Sequence, residues 1–321
     1  MDYQKEITDH LKVLETLKAN SGLFTAAPKD VDTGYNKAWL RDVFFITLAY
    51  QETGDWQTVQ KAAKALLQIL CKHRNKIDWA THNKPFESWQ YIHARYNPET
   101  FDEYWEEWGN KQNDAVGEVL HLITMCELNN APVVESEEER QMVQLLVEYL
   151  NNIEYWHDAD SGIWEEYAEV HASSLGSCVA GLTQAATLDY VTLPARALEN
   201  GQKALANLLP RESKTKSVDL ALLSLIYPFA VTTEAETALI LERIEKYNVR
   251  ERGVIRYCDD EYYSHQNETG LDVEAEWTMG LSWLAIIYAD LGQKDKAEHY
   301  LNQAHAAVTV EGLLPELYCG G

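Results

Sequence analysis

The sequence predicts an all-α protein whose outer and inner helices alternate and close as an (α/α) barrel. Three observations predict it. Apolar residues recur at three- and four-residue intervals in segment after segment, the spacing that lines one face of a helix. Some of those segments carry Lys, Glu and Gln along one side, whereas others are apolar all round. Few stretches alternate in the manner of a strand.

Taken in order, Ile7, Leu11, Leu14 and Leu17 mark a first helix, and a second covers about 39–51. Val59, Ala62, Ala63, Leu66, Leu67 and Leu70 mark the next, over 57–72. The segment from Lys72 to Gln112 reads as a long loop. Further helices are expected at 113–129, 137–153, 172–188, 193–208, 216–227, 233–246, 274–291 and 293–308. Several open with Ser, Asp or Asn, whose side-chain oxygens satisfy the first free N–H groups. The acidic run Glu135 to Glu139 is a solvated helix start, where negative side chains meet the positive end of the dipole. Val254-Ile255-Arg256-Tyr257 reads as extended.

Segments 57–72, 137–153 and 293–308 have one polar side and form the solvent-facing layer. Segments 39–50, 114–126, 175–188, 218–229 and 277–289 carry few charges beyond their first turn, as helices enclosed on every side do. Connections leading into these inner helices are long and rich in aromatic and acidic residues, whereas those leaving are short. Loops longer than about 12–15 residues in a compact domain are usually functional, so one rim of the ring should carry the site. No Pro/Gly linker divides the chain, and residues 1–321 read as a single domain.

Composition narrows the partners. Hydrophobic residues make up 46% and charged residues 24% of the 321, and no apolar run approaches the roughly 20 residues that span a bilayer. The charged start, Met1 to Glu6, lacks the order of a signal peptide, so a soluble, cytoplasmic protein is expected. Five scattered cysteines without a C-x-x-C pair suggest neither disulfides nor zinc. A net charge of -24 opposes nucleic acid and anionic membranes but is indifferent to a neutral substrate. Ten Trp and 18 Tyr beside 6 Phe suit stacking on sugar faces as well as burial. There is no phosphate-binding G-x-x-x-x-G-K-S/T loop and no G-x-S-x-G elbow. His82, His93, His157 and His265 stand isolated in loops, so no metal and no cofactor is predicted.

The sharpest local feature is Asp160-Ser161-Gly162-Ile163-Trp164-Glu165-Glu166, in the loop ahead of the inner helix near Ser173. Gly162 permits a tight turn. In an extended segment Glu165 would face opposite to Trp164 and Glu166, which directs one carboxylate inward among aromatic groups. An apolar neighbourhood raises its pKa, which is what a general acid needs. The other reading is a pair of glutamates on a solvated loop tip. His171, followed by Ser173 and Ser174 at a helix start, anchors the loop in either case.

With Glu169-Val170-His171-Ala172-Ser173-Ser174-Leu175-Gly176 behind it, this segment resembles glycoside hydrolase family 15, the glucoamylases, and their relatives the phosphorylase kinase α and β subunits. Gly22-Leu23-Phe24 with Tyr35 and Ala38-Trp39-Leu40-Arg41-Asp42 resembles the family's first sugar-binding motif. Gln112-Asn113-Asp114-Ala115 resembles its glutamine-aspartate segment, and Gly253-Val254-Ile255-Arg256-Tyr257 its arginine-bearing loop. Glu274-Ala275-Glu276-Trp277 with Trp283 resembles the aromatic helix start, and Gly312-Leu313-Leu314-Pro315-Glu316-Leu317-Tyr318 the segment holding the base.

The resemblance implies an (α/α)6 barrel, a six-hairpin toroid, and an inverting reaction with Glu165 as acid and Glu316 as base, their carboxyl groups about 6.5–9.5 Å apart. Arg41 and Asp42, assisted by Arg256, would grip the hydroxyls of a non-reducing-end glucose, with Gln112, Asp114 and Glu166 alongside. Trp39, Trp108, Trp164 and Trp277 would stack on sugar rings. Packing for the tryptophans and a helix-capping ion pair for Arg41 and Asp42 remain alternative roles.

The chain departs from the family in stopping three residues after Tyr318, and about eleven helices fall one short of six hairpins. The expectation is a ring lacking its last inner helix, open between the N-terminal helix and 293–308, with Glu316 poorly held. A second chain covering the seam would make an oligomer. The function implied is an exo-acting hydrolase releasing glucose from the non-reducing ends of α-glucans, or from small α-glucosides such as trehalose. A non-catalytic, phosphorylase-kinase-like scaffold is the alternative. A uronide hydrolase or an epimerase would share the architecture, but an anionic substrate asks for more cationic residues than these loops offer.

Overall fold

The computed structural model describes residues 3–28, 34–106, 108–266 and 270–319. Met1, Asp2, Gly320 and Gly321, which entered the sequence reading, lie outside the described residues. The chain is all-α in character and divides into two compact units, residues 1–205 and 206–321.

The first unit holds α1 (Tyr3–Thr16), α2 (Leu40–Glu52), α3 (Trp56–Lys72), α4 (Arg74–His82), α5 (Asn113–Leu128), α6 (Glu137–Ile153), α7 (Ala172–Ala185) and most of α8 (Ala195–Leu208). Its centre is the α5–α7 pair. Every residue of α5 from Asn113 to Cys126 is buried, as is α7 from Ala172 to Leu182. These two helices approach closely because glycines face each other across the contact. A Cβ on Gly117 would lie 2.5 Å from the Cys178 nitrogen, and one on Gly181 would lie 2.5 Å from the Gly117 carbonyl oxygen. Ser177 Oγ donates to the Asp114 carbonyl at 2.7 Å and Cys178 Sγ to that of Asn113 at 3.2 Å, which fixes the first turn of α5.

The outer layer is recognisable in α3 and α6, each buried along one face and wet along the other. Asp55 accepts from the Thr58 N–H to open α3, and Ser136 with Glu139 forms a reciprocal cap on α6. The acidic run thus is a helix start, with Glu139 held by Lys64 at 2.6 Å. The long loop expected from Lys72 to Gln112 needs correction, because α4 lies within it. That helix buries only Ile77 and Ala80, too few apolar positions to show as a period, and packs on α6, where Asn152 Nδ2 donates to the Ala80 carbonyl at 2.8 Å.

The second unit holds α9 (Glu234–Tyr247), α10 (Met279–Asp290) and α11 (Lys294–Ala306). The helix expected at 216–227 is instead a short 3-10 helix, Leu220–Leu225, opened by Asp219 and ended at Tyr227-Pro228. A proline disfavours helical backbone in the residue before it, which stops the turn. The helix expected from 274 begins only at Met279, because Glu276–Trp277 is a strand. Its partner is Leu317–Tyr318, about forty residues on. One face of α10 stays open, with Met279 and Ile286 at 36% and 39% exposure one heptad apart, so this segment is less enclosed than its composition predicts. Gly253 is required where its chain passes Glu276, since a Cβ there would lie 2.6 Å from the Glu276 carbonyl carbon. Among the described residues no helix is long and apolar enough to cross a membrane.

Candidate active site

In the first unit two helix starts and one turn converge on Arg41. Strand β1 (Ala38–Trp39) pairs antiparallel with β2 (Arg95–Tyr96), and the Leu40 N–H donates to the Ala94 carbonyl at 2.9 Å. This pairing fixes where α2 begins and puts Arg41 and Asp42 in its first turn. Gln112 and Asp114 stand at the start of α5. Arg41 Nη1 donates to Gln112 Oε1 at 2.6 Å and to Asp114 Oδ2 at 3.3 Å, and Nη2 donates to Glu165 Oε1 at 2.7 Å. The guanidinium is buried, and Asp114, Glu165 and Asp42 hold it firmly protonated against the cost of burial. Four predicted site residues therefore share one set of contacts, and Asp42 acts on them through its charge.

Glu165 reaches Arg41 from a turn, not from the extended segment the sequence suggested. Asp160 and Glu169 exchange backbone hydrogen bonds of 2.8 and 3.0 Å, which closes a small loop. Within it the Glu165 N–H donates to the Gly162 carbonyl at 3.2 Å and the Glu166 N–H to that of Ser161 at 2.9 Å. Gly162 has φ +62 and Glu165 itself has φ +60. A left-handed backbone suits glycine and is uncommon for glutamate. Trp164 and Glu166 flank Glu165 and are half-buried.

Asp160 anchors this turn. Its carboxylate accepts from the Asn113 N–H at 2.9 Å, the Gly162 N–H at 3.0 Å and Ser174 Oγ at 3.2 Å, which ties the loop to the starts of α5 and α7. Burial pushes its pKa up to about 7, with Asp114 adding to the rise and His171 opposing it. The His171 ring packs on Gly162, where a Cβ would come within 2.9 Å of it. Burial likewise raises the Glu165 pKa; Arg41 pulls it down, Asp42 pushes it up, and the net direction is upward. The carboxyl keeps 19% of its side-chain surface open to solvent.

Beside this cluster Trp39 and Trp108 meet edge to face at 5.9 Å, and Tyr35 stacks on Trp39 at 5.5 Å. The Arg95 guanidinium sits 4.2 Å from the Trp108 ring centre and 5.4 Å from that of Trp39. Sequence reasoning missed Arg95, and nothing local marks it, because its role comes from the β1–β2 register that pairs it with Trp39. Asp160 was legible in principle, since an aspartate two residues before a turn glycine commonly accepts from that glycine's N–H.

In the second unit the structure gathers Arg256, Trp277 and Glu316. Arg256 is 3% exposed; its Nε and Nη2 donate to the two oxygens of Asp260, both at 2.6 Å. The guanidinium lies 5.1 Å from the Trp277 ring centre and 4.9 Å from that of Tyr262, stacked rings with a cation across them. Glu316 is not poorly held. The Thr278 N–H donates to its carbonyl at 3.1 Å, the Thr278 hydroxyl donates to Pro315, and β3 (Glu276–Trp277) pairs with β4 (Leu317–Tyr318) immediately after it. The residue is solvent-exposed overall, yet crowding of its carboxyl raises the pKa against the pull of Arg256. Among the described residues no grouping of His, Cys, Asp and Glu could hold a metal ion.

The sequence model described as glycosyl hydrolases family 15 matches residues 3–275. A glycosidase variant solved in complex with glucose is similar over 98% of this chain and 86% of its own, with a TM-score of 0.82 at 19% identity. The glucoamylase of Saccharomycopsis fibuligera is similar over 92% of this chain and 73% of its own, with a TM-score of 0.61 at 18% identity. These likenesses show the fold, the all-α (α/α)6 fold of the glucoamylases. Among curated sequences, the skeletal muscle phosphorylase b kinase regulatory subunit alpha of Oryctolagus cuniculus is 26% identical over 88% of this chain and 27% of its own length. A probable alpha subunit from Drosophila melanogaster is 25% identical over 99% of this chain and 29% of its own. The chain thus spans less than a third of the length of these curated relatives.

Proposed function

This chain belongs to glycosyl hydrolases family 15, and from that premise we propose that it is an inverting, exo-acting hydrolase of neutral α-glucosides. It releases glucose from the non-reducing ends of α-glucans or from small α-glucosides. The observation that carries this reading is the Arg41–Glu165 contact at 2.7 Å, in which a carboxyl with a raised pKa shares its guanidinium with Gln112 and Asp114. A general acid has to be protonated near the working pH and within reach of the glycosidic oxygen.

Arg41 is the main group that favours ionised Glu165, with Gln112 adding a little, and both oppose burial and Asp42. A glucose whose hydroxyls accept from Arg41 competes with Glu165 for those N–H groups. Binding the sugar therefore weakens the hold on the carboxylate and lets it take up the proton it must donate. Trp39 Nε1 is buried without an acceptor among the described residues, and a sugar oxygen would satisfy it. Half-buried Trp108 and Trp164 are left to meet a sugar ring, because the expected platforms Trp39 and Trp277 are buried, with Tyr35 stacked on the one and Tyr262 on the other.

In the proposed reaction Glu165 protonates the leaving oxygen while ionised Glu316 takes a proton from water, and the water attacks the anomeric carbon from the opposite side. Arg256 favours the ionised form of Glu316. Asp42, Gln112, Asp114 and Glu166 complete the grip on the terminal glucose with Arg41 and Arg256. Wild type should release glucose from maltotriose, and Glu165→Gln should lower kcat by about 10²- to 10⁴-fold with the fold intact.

A second reading, a sugar-binding scaffold without turnover, is favoured by the regulatory subunits among the relatives. It predicts no glucose from either protein, with maltotriose binding still measurable by calorimetry. Equal glucose release from wild type and Glu165→Gln would remove Glu165 from the mechanism.

A further inference from the structure

The acidic groups around Arg41 outnumber its single positive charge. Asp114 and Glu165 accept from it, and Asp42 and Glu118 act on it through their charges. Glu118 differs from the others in having no part in the motifs discussed above. It lies on α5 four residues after Asp114, one turn along the same face. It is 1% exposed, and its Oε2 has no hydrogen-bond partner among the described residues. Asp114 is 2% exposed; its Oδ2 accepts from Arg41, while its Oδ1 has no partner among the described residues.

Two ionised carboxylates so placed would set like charges side by side away from water, each with an acceptor unfilled. One proton held between them removes a charge and gives both orphan oxygens a partner. The charged and titratable groups facing Glu118 are Arg41 and Asp42 from α2, Asp114 from its own helix and Cys178 from α7. No titratable group of α3 or α6, which also pack on α5, acts on it among the described residues. Arg41 already serves Gln112, Asp114 and Glu165.

We propose that folded Glu118 is the neutral acid, its proton shared with Asp114, and that this proton locks Asp114 onto Arg41. Glu118 is then a positioning residue for the arginine. It acts through Asp114 and touches no sugar. Were it ionised, the guanidinium would be drawn toward α5 and away from Glu165. The inference concerns the ground state of the fold and holds whether or not the chain hydrolyses anything.

The sign of its pH dependence follows from burial and from Asp114, both of which raise the Glu118 pKa. A carboxyl raised on folding contributes its full stability below its unfolded value, about 4.3, and loses it as pH rises toward the folded value. Glu118→Gln keeps a donor for Asp114 and cannot ionise. Its melting temperature should match wild type near pH 5 and then gain on it by up to about 2 °C per pH unit. Glu118→Leu supplies no donor and should melt below Glu118→Gln at every pH and bind maltotriose more weakly than wild type, whereas Glu118→Gln binds as wild type does.

Infrared difference spectra at pH 7, wild type minus Glu118→Gln, should contain a protonated-carboxyl carbonyl band. If Glu118→Gln does not fold, Asp114→Asn takes its place, because removing the neighbouring charge frees Glu118 to ionise and removes the same band. A difference spectrum without that band, or a Glu118→Gln melting temperature below wild type by a constant margin, overturns the proposal.

Discussion

At the scale of single residues the site is a contest for one guanidinium. Arg41 is the only cation acting on Glu165 among its leading influences, and it opposes the burial that raises the carboxyl. Arg41→Met should move the Glu165 pKa further upward. If Glu165 is the acid, the alkaline limb of the kcat/KM profile then shifts to higher pH, since activity is lost only as the acid deprotonates. Losing the sugar contacts should also raise KM by about 10- to 100-fold. An alkaline limb that stays in place or moves down would show that Arg41 does not set the acid. Asp160 offers a different test, because Asp160→Ala leaves two backbone N–H groups and the Ser174 hydroxyl without their acceptor. The loss should be roughly 3 kcal/mol or more, read from urea denaturation. Glu165 was legible as a candidate from its tryptophan and glycine neighbours, but its left-handed backbone was not, because the pairing of Asp160 with Glu169 decides it.

At the scale of elements, helices buried on all sides announced themselves through missing charge, and α5 and α7 are the clearest cases. What sequence could not convey is how closely these two cross. Gly117 and Gly181 set that separation, and both looked like ordinary small residues in an apolar run. Gly117→Ala pushes a methyl against the backbone of Ser177 and Cys178. It should lower stability by about 1–3 kcal/mol, with a matching fall in midpoint on denaturation. Retained stability would mean that the helices part without penalty. Segments of weak or mixed signal were misread for identifiable reasons. The exposed face of α4 hid its short apolar stripe, Pro228 cut short the apolar run before it, and Glu276–Trp277 was withdrawn from its helix by pairing with Leu317–Tyr318.

For the whole molecule, net charge gives a prediction that no single contact does. If the substrate is the uncharged sugar proposed above, then despite the charge of -24 the KM for maltotriose should change by less than about twofold between low and moderate salt. A steep dependence would point to a charged substrate. Motifs in the right order across the chain made the fold legible, and the match over residues 3–275 covers those up to the arginine-bearing loop but not the segment with Glu316. The distribution of roles between Arg95, Asp160 and Glu118 needed coordinates. Holding a glutamate at φ +60 costs on the order of 1 kcal/mol, which glycine at position 165 would relieve. Glu165→Gly should recover that strain but forfeit the buried contact with Arg41, so its melting temperature should fall rather than rise. The strained backbone at this position is thus kept in place by the guanidinium that the side chain faces.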